Sequence, residues 1–267
     1  MSEITSAHAS ARWLTTRTAV RVPAITAFFW AIKLLSTASG ESTSDYLVHA
    51  MAPEFAVLVG FVLFVAALVI QFRTGRYVPA AYWFAVVMVG TFGTMAADVL
   101  HVGLGVPYTA SMILYAVALG VVFAAWWRTE GTLSIHSVDT PRREAFYWAA
   151  VVATFAMGTA LGDFTAYTLG LGYGASAVIF AVVILFPAAG FRVLRWNAVF
   201  AFWFAYVVTR PLGASLADWI GKPRALGGLG VGNGLVALLL DLVIAGLVAY
   251  LAVSRIDVHK DRGSANR

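Results

Sequence analysis

The sequence has no cysteine, which excludes structural disulfides, thiolate metal sites, iron–sulfur clusters and cysteine nucleophiles. Charge is scarce as well, because only 12% of the 267 residues are charged whereas 61% are hydrophobic. The mean hydropathy of +0.83 is far above that of a soluble domain and predicts an integral membrane protein. The formal net charge of +5 does not indicate nucleic acid, since basic residues in such proteins mark the cytoplasmic loops. The partner that we expect is the lipid bilayer.

Long apolar stretches separated by turn signals fill most of the chain. A spanning helix needs about 20 apolar residues, and the pattern predicts an all-α polytopic membrane protein of about eight transmembrane helices. The predicted spans are 22–39, 53–71, 78–99, 107–127, 145–164, 173–191, 197–219 and 230–253. They form a single transmembrane domain over 22–253, between an N-terminal segment (1–21) and a C-terminal tail (254–267).

The basic residues predict the orientation. If all eight segments span, fourteen of the eighteen Lys and Arg residues share a side with the N-terminus. The opposite loops contain only Lys222 and Arg224. The positive-inside rule therefore places both termini in the cytoplasm.

One motif occurs four times at constant spacing. An aromatic-Trp pair is followed by a glycine ten residues after the Trp, and an aspartate follows five residues later. The copies end in GESTSD at 40–45, GTMAAD at 93–98, GTALGD at 158–163 and GASLAD at 213–218. Repeats over about 22–76, 77–140, 141–195 and 196–253 hold two spans each. We therefore predict four parallel two-helix repeats in a pseudo-symmetric bundle, with the aromatic-Trp pairs as belt residues at the cytoplasmic interface.

The four motif glycines have a structural interpretation. A glycine followed four residues later by another small residue lets two membrane helices approach closely. We therefore assign a helix-packing role to these residues, which are Gly40, Gly93, Gly158 and Gly213.

The four motif aspartates are harder to explain by packing. An ionised carboxylate in a bilayer is costly unless it is paired or hydrated, and each one lies near the negative end of its helix dipole. The candidate metal ligands are Asp45, Asp98, Asp163, Asp218 and Glu41. An all-oxygen set suits manganese, magnesium or calcium, so a bound divalent cation is the one cofactor that we consider. The alternative is that these carboxylates carry protons or only bond neighbouring helices.

Further polar groups fall within or next to the predicted spans. Candidate auxiliary ligands or proton-pathway residues are Thr94, Thr159 and His101. Candidate intramembrane counter-charges are Lys33, Arg210 and Asp241, and we expect Arg210 and Asp241 to form an ion pair.

The repeats GTMAAD and GTALGD, the upstream YW pairs and the variant copies KLLSTASGESTSD and TRPLGASLAD resemble a known family. It comprises bacterial polytopic membrane proteins built from tandem repeats of unknown function, often labelled uncharacterised membrane-anchored proteins. The resemblance covers about 22–253 and implies a multi-pass protein of the bacterial inner (plasma) membrane. It implies no site residue.

Three functions are compatible with this pattern. The favoured hypothesis is a non-enzymatic membrane transporter or channel for a cation, with a divalent metal such as manganese as cargo. The second is a proton-coupled carrier of a small organic or anionic solute, held by Lys33 and Arg210. The third is an intramembrane enzyme or a structural membrane protein. A homo-oligomer is compatible with all three.

Overall fold

The structure, a computed structural model, describes residues 20–259. Most of the predicted N-terminal segment (1–21) and part of the predicted tail (254–267) lie outside the described residues. Within the described range the regular structure is entirely helical. Its α-helices are α1 (Ala27–Ala50), α2 (Pro53–Thr74), α3 (Pro79–Asp98), α4 (Tyr108–Glu130), α5 (Pro141–Asp163), α6 (Gly172–Val183), α7 (Leu185–Arg192), α8 (Ala198–Gly221) and α9 (Asn233–Ser254).

The prediction of an all-α polytopic bundle is confirmed. Seven helical segments within residues 20–259 are long and apolar enough to cross a membrane, and α6 with α7 forms one of them. The eighth long helix is α1, which has 24 residues but carries Lys33, Glu41 and Asp45. It is buried along most of its length, because it packs against α3, α8 and α9. This protein enclosure stabilises a helix that is too polar to face lipid.

Three helix boundaries differ from the prediction in an informative way. The first predicted span ends at residue 39, where the sequence turns polar, but α1 continues through Gly40 to Ala50. Tertiary burial outweighs the loss of apolar character there. Helices α3 and α5 each continue beyond the motif aspartate as one wide π-helical turn, Val99–Gly103 and Phe164–Thr168. Such π turns interrupt regular α-helices and occur frequently at functional sites.

The four motif helices form a closed inner ring. Helix α1 packs on α3, α3 on α5, α5 on α8, and α8 returns to α1. The second helix of each repeat packs mainly on the motif helix of the following repeat, so that α2 covers α3, α4 covers α5, and α6 with α7 covers α8. Helix α9 closes the outer ring by packing on α1. The arrangement is a pseudo-fourfold bundle in which each repeat completes its neighbour.

Each motif glycine lies at a different contact of the inner ring. A Cβ on Gly40 would lie 2.7 Å from the backbone of Gly90 in α3, and a Cβ on Gly93 would lie 3.2 Å from Phe155 in α5. A Cβ on Gly158 would overlap the side chain of Arg210 in α8, and one on Gly213 would overlap Thr37 of α1. The four glycines therefore permit the close approach of α1, α3, α5 and α8.

The aromatic-Trp pairs occupy the opposite end of the inner ring from the aspartates. Trp83, Trp148 and Trp203 are buried and pack against aromatic rings of neighbouring motif helices. The tyrosine hydroxyls of Tyr82 and Tyr147 bond to each other across this layer. The expectation that these pairs form a membrane-interface belt is therefore wrong for the buried rings, which form an aromatic layer that closes the end of the bundle where the motif helices begin.

Candidate functional site

The polar residues of the inner ring lie in layers along its axis. Residues four positions apart share one face of a helix and are about 6 Å apart along its axis. Four steps of this kind lead from the aromatic layer to the aspartates on each motif helix. The stripes are Lys33, Thr37, Glu41 and Asp45 on α1; Val86, Gly90, Thr94 and Asp98 on α3; Val151, Phe155, Thr159 and Asp163 on α5; and Tyr206, Arg210, Ala214 and Asp218 on α8.

The centre of the ring is held by Arg210, whose side chain is completely buried. Its Nη2 donates to Oε2 of Glu41 at 2.7 Å, and it also donates to the hydroxyls of Thr94 and Thr159. Its Nη1 donates to the carbonyl oxygen of Thr37 at 3.4 Å. One guanidinium from the fourth repeat thus binds an oxygen from each of the other three repeats, and its charge is compensated by Glu41.

The aspartate layer is only half compensated. Nζ of Lys222 lies 3.2 Å from Oδ1 of Asp218 and 3.4 Å from Oδ2 of Asp45, so that one ammonium joins two motif carboxylates. Nδ2 of Asn233 also donates to Asp45 at 3.0 Å. Burial alone would lower the pKa of Lys222, but the carboxylates of Asp218 and Asp45 raise it above its ordinary value. Lys222 therefore carries a fixed positive charge.

The other two motif aspartates lack an ion-pair partner in the described part of the chain. Within residues 20–259 no side chain donates a hydrogen bond to Asp98 or Asp163, and neither carboxylate forms an ion pair. Both are the last α-helical residues before the π turns of α3 and α5. Repeats two and three therefore present carboxylates without an ion pair among residues 20–259. At the equivalent positions of repeats one and four, Lys222 binds both carboxylates.

A cavity of about 720 Å³ opens at the aspartate end of the ring. Its acidic lining residues are Glu41, Asp45, Glu54, Asp98 and Asp163. Lys222 supplies an ammonium and His49 an imidazole, and Tyr108 and Tyr167 form an aromatic wall with their rings stacked 5.7 Å apart. Because Glu41 is paired with Arg210 and Asp45 with Lys222, three lining carboxylates have no ion pair among residues 20–259 and favour cations in the cavity: Glu54, Asp98 and Asp163.

A second cavity of about 790 Å³ adjoins the first. Asp45, His49, Tyr167 and Lys222 line both cavities, and the loop from Gly221 to Gly234 supplies most of the remaining wall. Lys222 therefore lies at the boundary between the two spaces.

Lys33 lies below the Arg210 layer in a different setting. Its Nζ is completely buried, has no hydrogen-bond partner among the described residues, and lies 4.1 Å from the ring centre of Phe155 and 4.2 Å from that of Tyr206. Aromatic faces attract an ammonium but do not replace a counter-ion. Lys33 is therefore a buried amine that has no carboxylate partner in the part of the chain that the structure describes.

One sequence-based expectation is wrong at the level of an individual contact. Asp241 does not pair with Arg210; it accepts a hydrogen bond from Ser39, whereas Arg210 turns into the ring toward Glu41. Nδ1 of His101 donates to the carbonyl oxygen of Val106 at 2.6 Å. A metal-binding histidine commonly donates one ring nitrogen in this way and binds through the other, so the auxiliary role of His101 stays a prediction.

The metal hypothesis receives no support from the geometry. Among the residues that the structure describes, no three Asp, Glu or His side chains converge closely enough to hold a metal ion. The five predicted ligands are drawn instead into the Arg210 network, the Lys222 pair and the open cavity wall.

Sequence reasoning missed three residues of the site. Lys222 was assigned only to an outer loop, although its position four residues after Asp218 signals a contact on the same face. Tyr167 lies in a π turn that no sequence pattern predicted. Asn233 reaches Asp45 across 188 residues of sequence, and no local signal predicts that contact.

Comparison with protein-family models gives four tandem matches to one model, described as Repeat of Unknown Function (DUF347). The matches cover residues 28–77, 81–132, 146–193 and 201–257. They confirm the resemblance to a tandem-repeat family. No curated protein and no solved structure matches the chain.

Proposed function

The chain belongs to the DUF347 family of repeats of unknown function, and from this premise we propose that it is a membrane transporter or channel for a cation. The observation that carries the proposal is the cavity at the aspartate end of the ring, whose lining includes three carboxylates without an ion pair among residues 20–259. Such an excess of one charge in a low-dielectric enclosure concentrates ions of the opposite sign. Two of the carboxylates, Asp98 and Asp163, have no protein partner within residues 20–259. They are the proposed cation-binding groups.

The layers below the cavity suggest how passage is controlled. A cation that leaves the aspartates next meets the Arg210 guanidinium, and beyond it the buried amine of Lys33. The aromatic layer then closes the ring. The Arg210 guanidinium and a layer of rings form a barrier to cations, so crossing requires these layers to rearrange. This favours a transporter that alternates between states over an open channel.

The orientation supports uptake or release on the non-cytoplasmic side. In the described range, Arg73, Arg76, Arg128 and Arg192 lie at the end of the bundle opposite the cavity, whereas Lys222 and Arg224 lie beside it. By the positive-inside rule we propose that both termini are cytoplasmic and that the protein resides in the bacterial inner membrane. The cavity then opens away from the cytoplasm.

An anionic cargo is less compatible with the site. In the second hypothesis Lys33 and Arg210 hold the solute, but both side chains are completely buried and neither lines the cavity. Arg210 is already bound to Glu41 and to the hydroxyls of two threonines. The groups that a solute would meet first are carboxylates.

The test measures cation-driven charge movement by the full-length protein reconstituted in proteoliposomes on a solid-supported membrane. Concentration jumps of Mn²⁺, Mg²⁺, K⁺ and ethanolammonium serve as probes, with manganese included because the ligand types favour it. We expect a signal for at least one cation in the wild-type protein and in Asp241→Asn, whose carboxylate lies outside the cavity. The double variant Asp98→Asn/Asp163→Asn removes both unpaired carboxylates and should abolish the signal. A signal that persists in the double variant, or none with any cation, refutes the proposal.

A further inference from the structure

The protein already contains one cation bound to its motif aspartates. The ammonium of Lys222 lies between Asp45 and Asp218 and 5.1 Å from the ring centre of Tyr173. This is a primary ammonium held by two repeat-equivalent carboxylates beside an aromatic ring. One half of the aspartate layer, formed by Asp45 and Asp218, therefore binds a primary ammonium.

The other half of the layer offers the same groups without an occupant from the described part of the chain. Asp98 and Asp163 are the motif aspartates of repeats two and three, and both line the cavity. Tyr108 lines it beside them and corresponds to Tyr173, because each tyrosine is followed two residues later by Ala-Ser. Repeat symmetry thus places two carboxylates and a tyrosine where a second ammonium would bind.

A buried acceptor also points into this space. Glu41 is only 3% exposed yet lines the cavity. Its Oε2 accepts from Arg210 and Thr94, whereas its Oε1 has no donor among residues 20–259. A ligand group with several N–H donors would supply the missing hydrogen bond to this oxygen, which lies one helical turn below the aspartates.

We propose that the cavity binds a small organic molecule through a primary ammonium group, between Asp98 and Asp163 and against Tyr108. This inference rests on the proposed function and specifies its cargo. A cavity of about 720 Å³ has the size of a small-molecule site. A bare metal ion would need converging ligands, which the described residues do not provide. A quaternary ammonium has no N–H to donate to the carboxylates and would bind through the aromatic wall alone.

Equilibrium binding of radiolabelled ethanolamine to the detergent-solubilised full-length protein tests the inference directly. We expect saturable binding that Asp241→Asn retains and that Asp98→Asn/Asp163→Asn weakens by about tenfold or more. Unlabelled butylamine should compete, whereas choline, K⁺ and Mn²⁺ should compete about tenfold more weakly. Choline is the matched control, since it differs from ethanolamine by three methyl groups on nitrogen.

A second variant tests the internal analogy. Lys222→Gln removes the built-in ammonium and leaves Asp45 and Asp218 without a counter-charge. We expect this variant to have a lower Tm than the wild-type protein and to regain it in ethanolamine, but not in equal concentrations of choline. Recovery of Tm by both compounds equally would overturn the assignment of an N–H donor. If the variant does not fold, the binding experiment on the wild-type protein and the aspartate variants decides alone.

The outcomes separate this inference from the proposed function. Charge movement with Mn²⁺ or K⁺ that depends on Asp98 and Asp163, without ethanolamine binding, would overturn the ammonium site and leave cation transport standing. Binding of ethanolamine that survives the double aspartate variant would also overturn the site. If no cation produces charge movement and ethanolamine does not bind, both the proposed function and the ammonium site are refuted.

Discussion

The charge pair between Arg210 and Glu41 should be the most energetically coupled contact of the inner ring. Arg210 is completely buried, so its charge cannot turn to water when Glu41 is removed. Glu41 is only 3% exposed, so its carboxylate gains little hydration beyond the cavity when Arg210 is removed. Breaking a buried ion pair in this way costs about 3–5 kcal/mol. Arg210→Gln also removes the donor shared by Thr94 and Thr159. Each single variant, Arg210→Gln or Glu41→Gln, is therefore expected to be destabilised by about 3–5 kcal/mol.

The double variant Arg210→Gln/Glu41→Gln completes a double-mutant cycle and measures how strongly the two residues are coupled. With both charges removed, two neutral amides remain that can hydrogen-bond to each other and to the two threonine hydroxyls. Its destabilisation should be no larger than that of either single variant, which corresponds to a coupling energy of about 3 kcal/mol or more. If the two residues contributed only through independent packing, the losses of unfolding free energy in the single variants would add up in the double variant.

Unfolding by SDS titration in mixed micelles, followed by the fluorescence of the nine tryptophans, measures these free energies. All four proteins are compared at one pH and one lipid composition. The reasoning would be refuted by single variants within about 1 kcal/mol of the wild-type protein or by a double variant that equals the sum of the singles.

Three further predictions concern stability. Gly40→Ala should destabilise by about 1–3 kcal/mol because its Cβ would lie 2.7 Å from the backbone of α3, whereas Gly120→Ala, whose Cβ meets open space, should be neutral or stabilising in the same SDS titration. Lys33→Met should raise the unfolding free energy by about 1–3 kcal/mol, because it removes a buried amine that has no hydrogen-bond partner among the described residues; a lower value would indicate a partner for the amine. Burial and the neighbouring His136 lower the pKa of His259 in the folded protein, so the unfolded chain binds the proton more readily and stability should fall as the pH drops below about 6.5. Tm measured between pH 7.5 and 5 should show a smaller decline in His259→Gln, and an unchanged decline would contradict the assignment.

The repeat pattern predicted much of the fold because the motif combines a packing device with a fixed spacing. A glycine and an aspartate five residues apart, repeated four times, define four equivalent helices and the end at which their carboxylates meet. Even the closed ring follows once the repeats are parallel, since each glycine then lies at the contact with the next motif helix. The partners of individual charges are not encoded in this way. Arg210 could reach either Asp241 or Glu41 from sequence alone, and only the rotation of α8 within the ring decides for Glu41.

Lys222 shows why loops limit such predictions. Its ammonium is part of the aspartate layer, yet it lies just beyond the end of α8 and before a glycine-rich loop. Hydropathy places a residue of this kind outside the membrane. The loop that follows returns toward the bundle, since the amide nitrogens of Leu229 and Val231 donate to carbonyl oxygens of Trp219 and Ile220. These backbone hydrogen bonds leave no periodic pattern of hydrophobic residues in the sequence, so they cannot be predicted from such a pattern.

Under the proposed function, the number of cations bound at one time is predicted by the positions at which the repeats differ. Four equal repeats would place four equal carboxylates around the axis and would suggest a symmetric ion site. The fourth repeat, however, contributes Arg210, and the residue four positions after its aspartate is Lys222. The first of these charges compensates Glu41, and the second is shared by Asp45 and Asp218. Because both compensated groups lie on the side of α1 and α8, the unpaired carboxylates of α3 and α5 face the cavity together. Under the proposed function, this asymmetry predicts one site for a single cation within a fourfold scaffold.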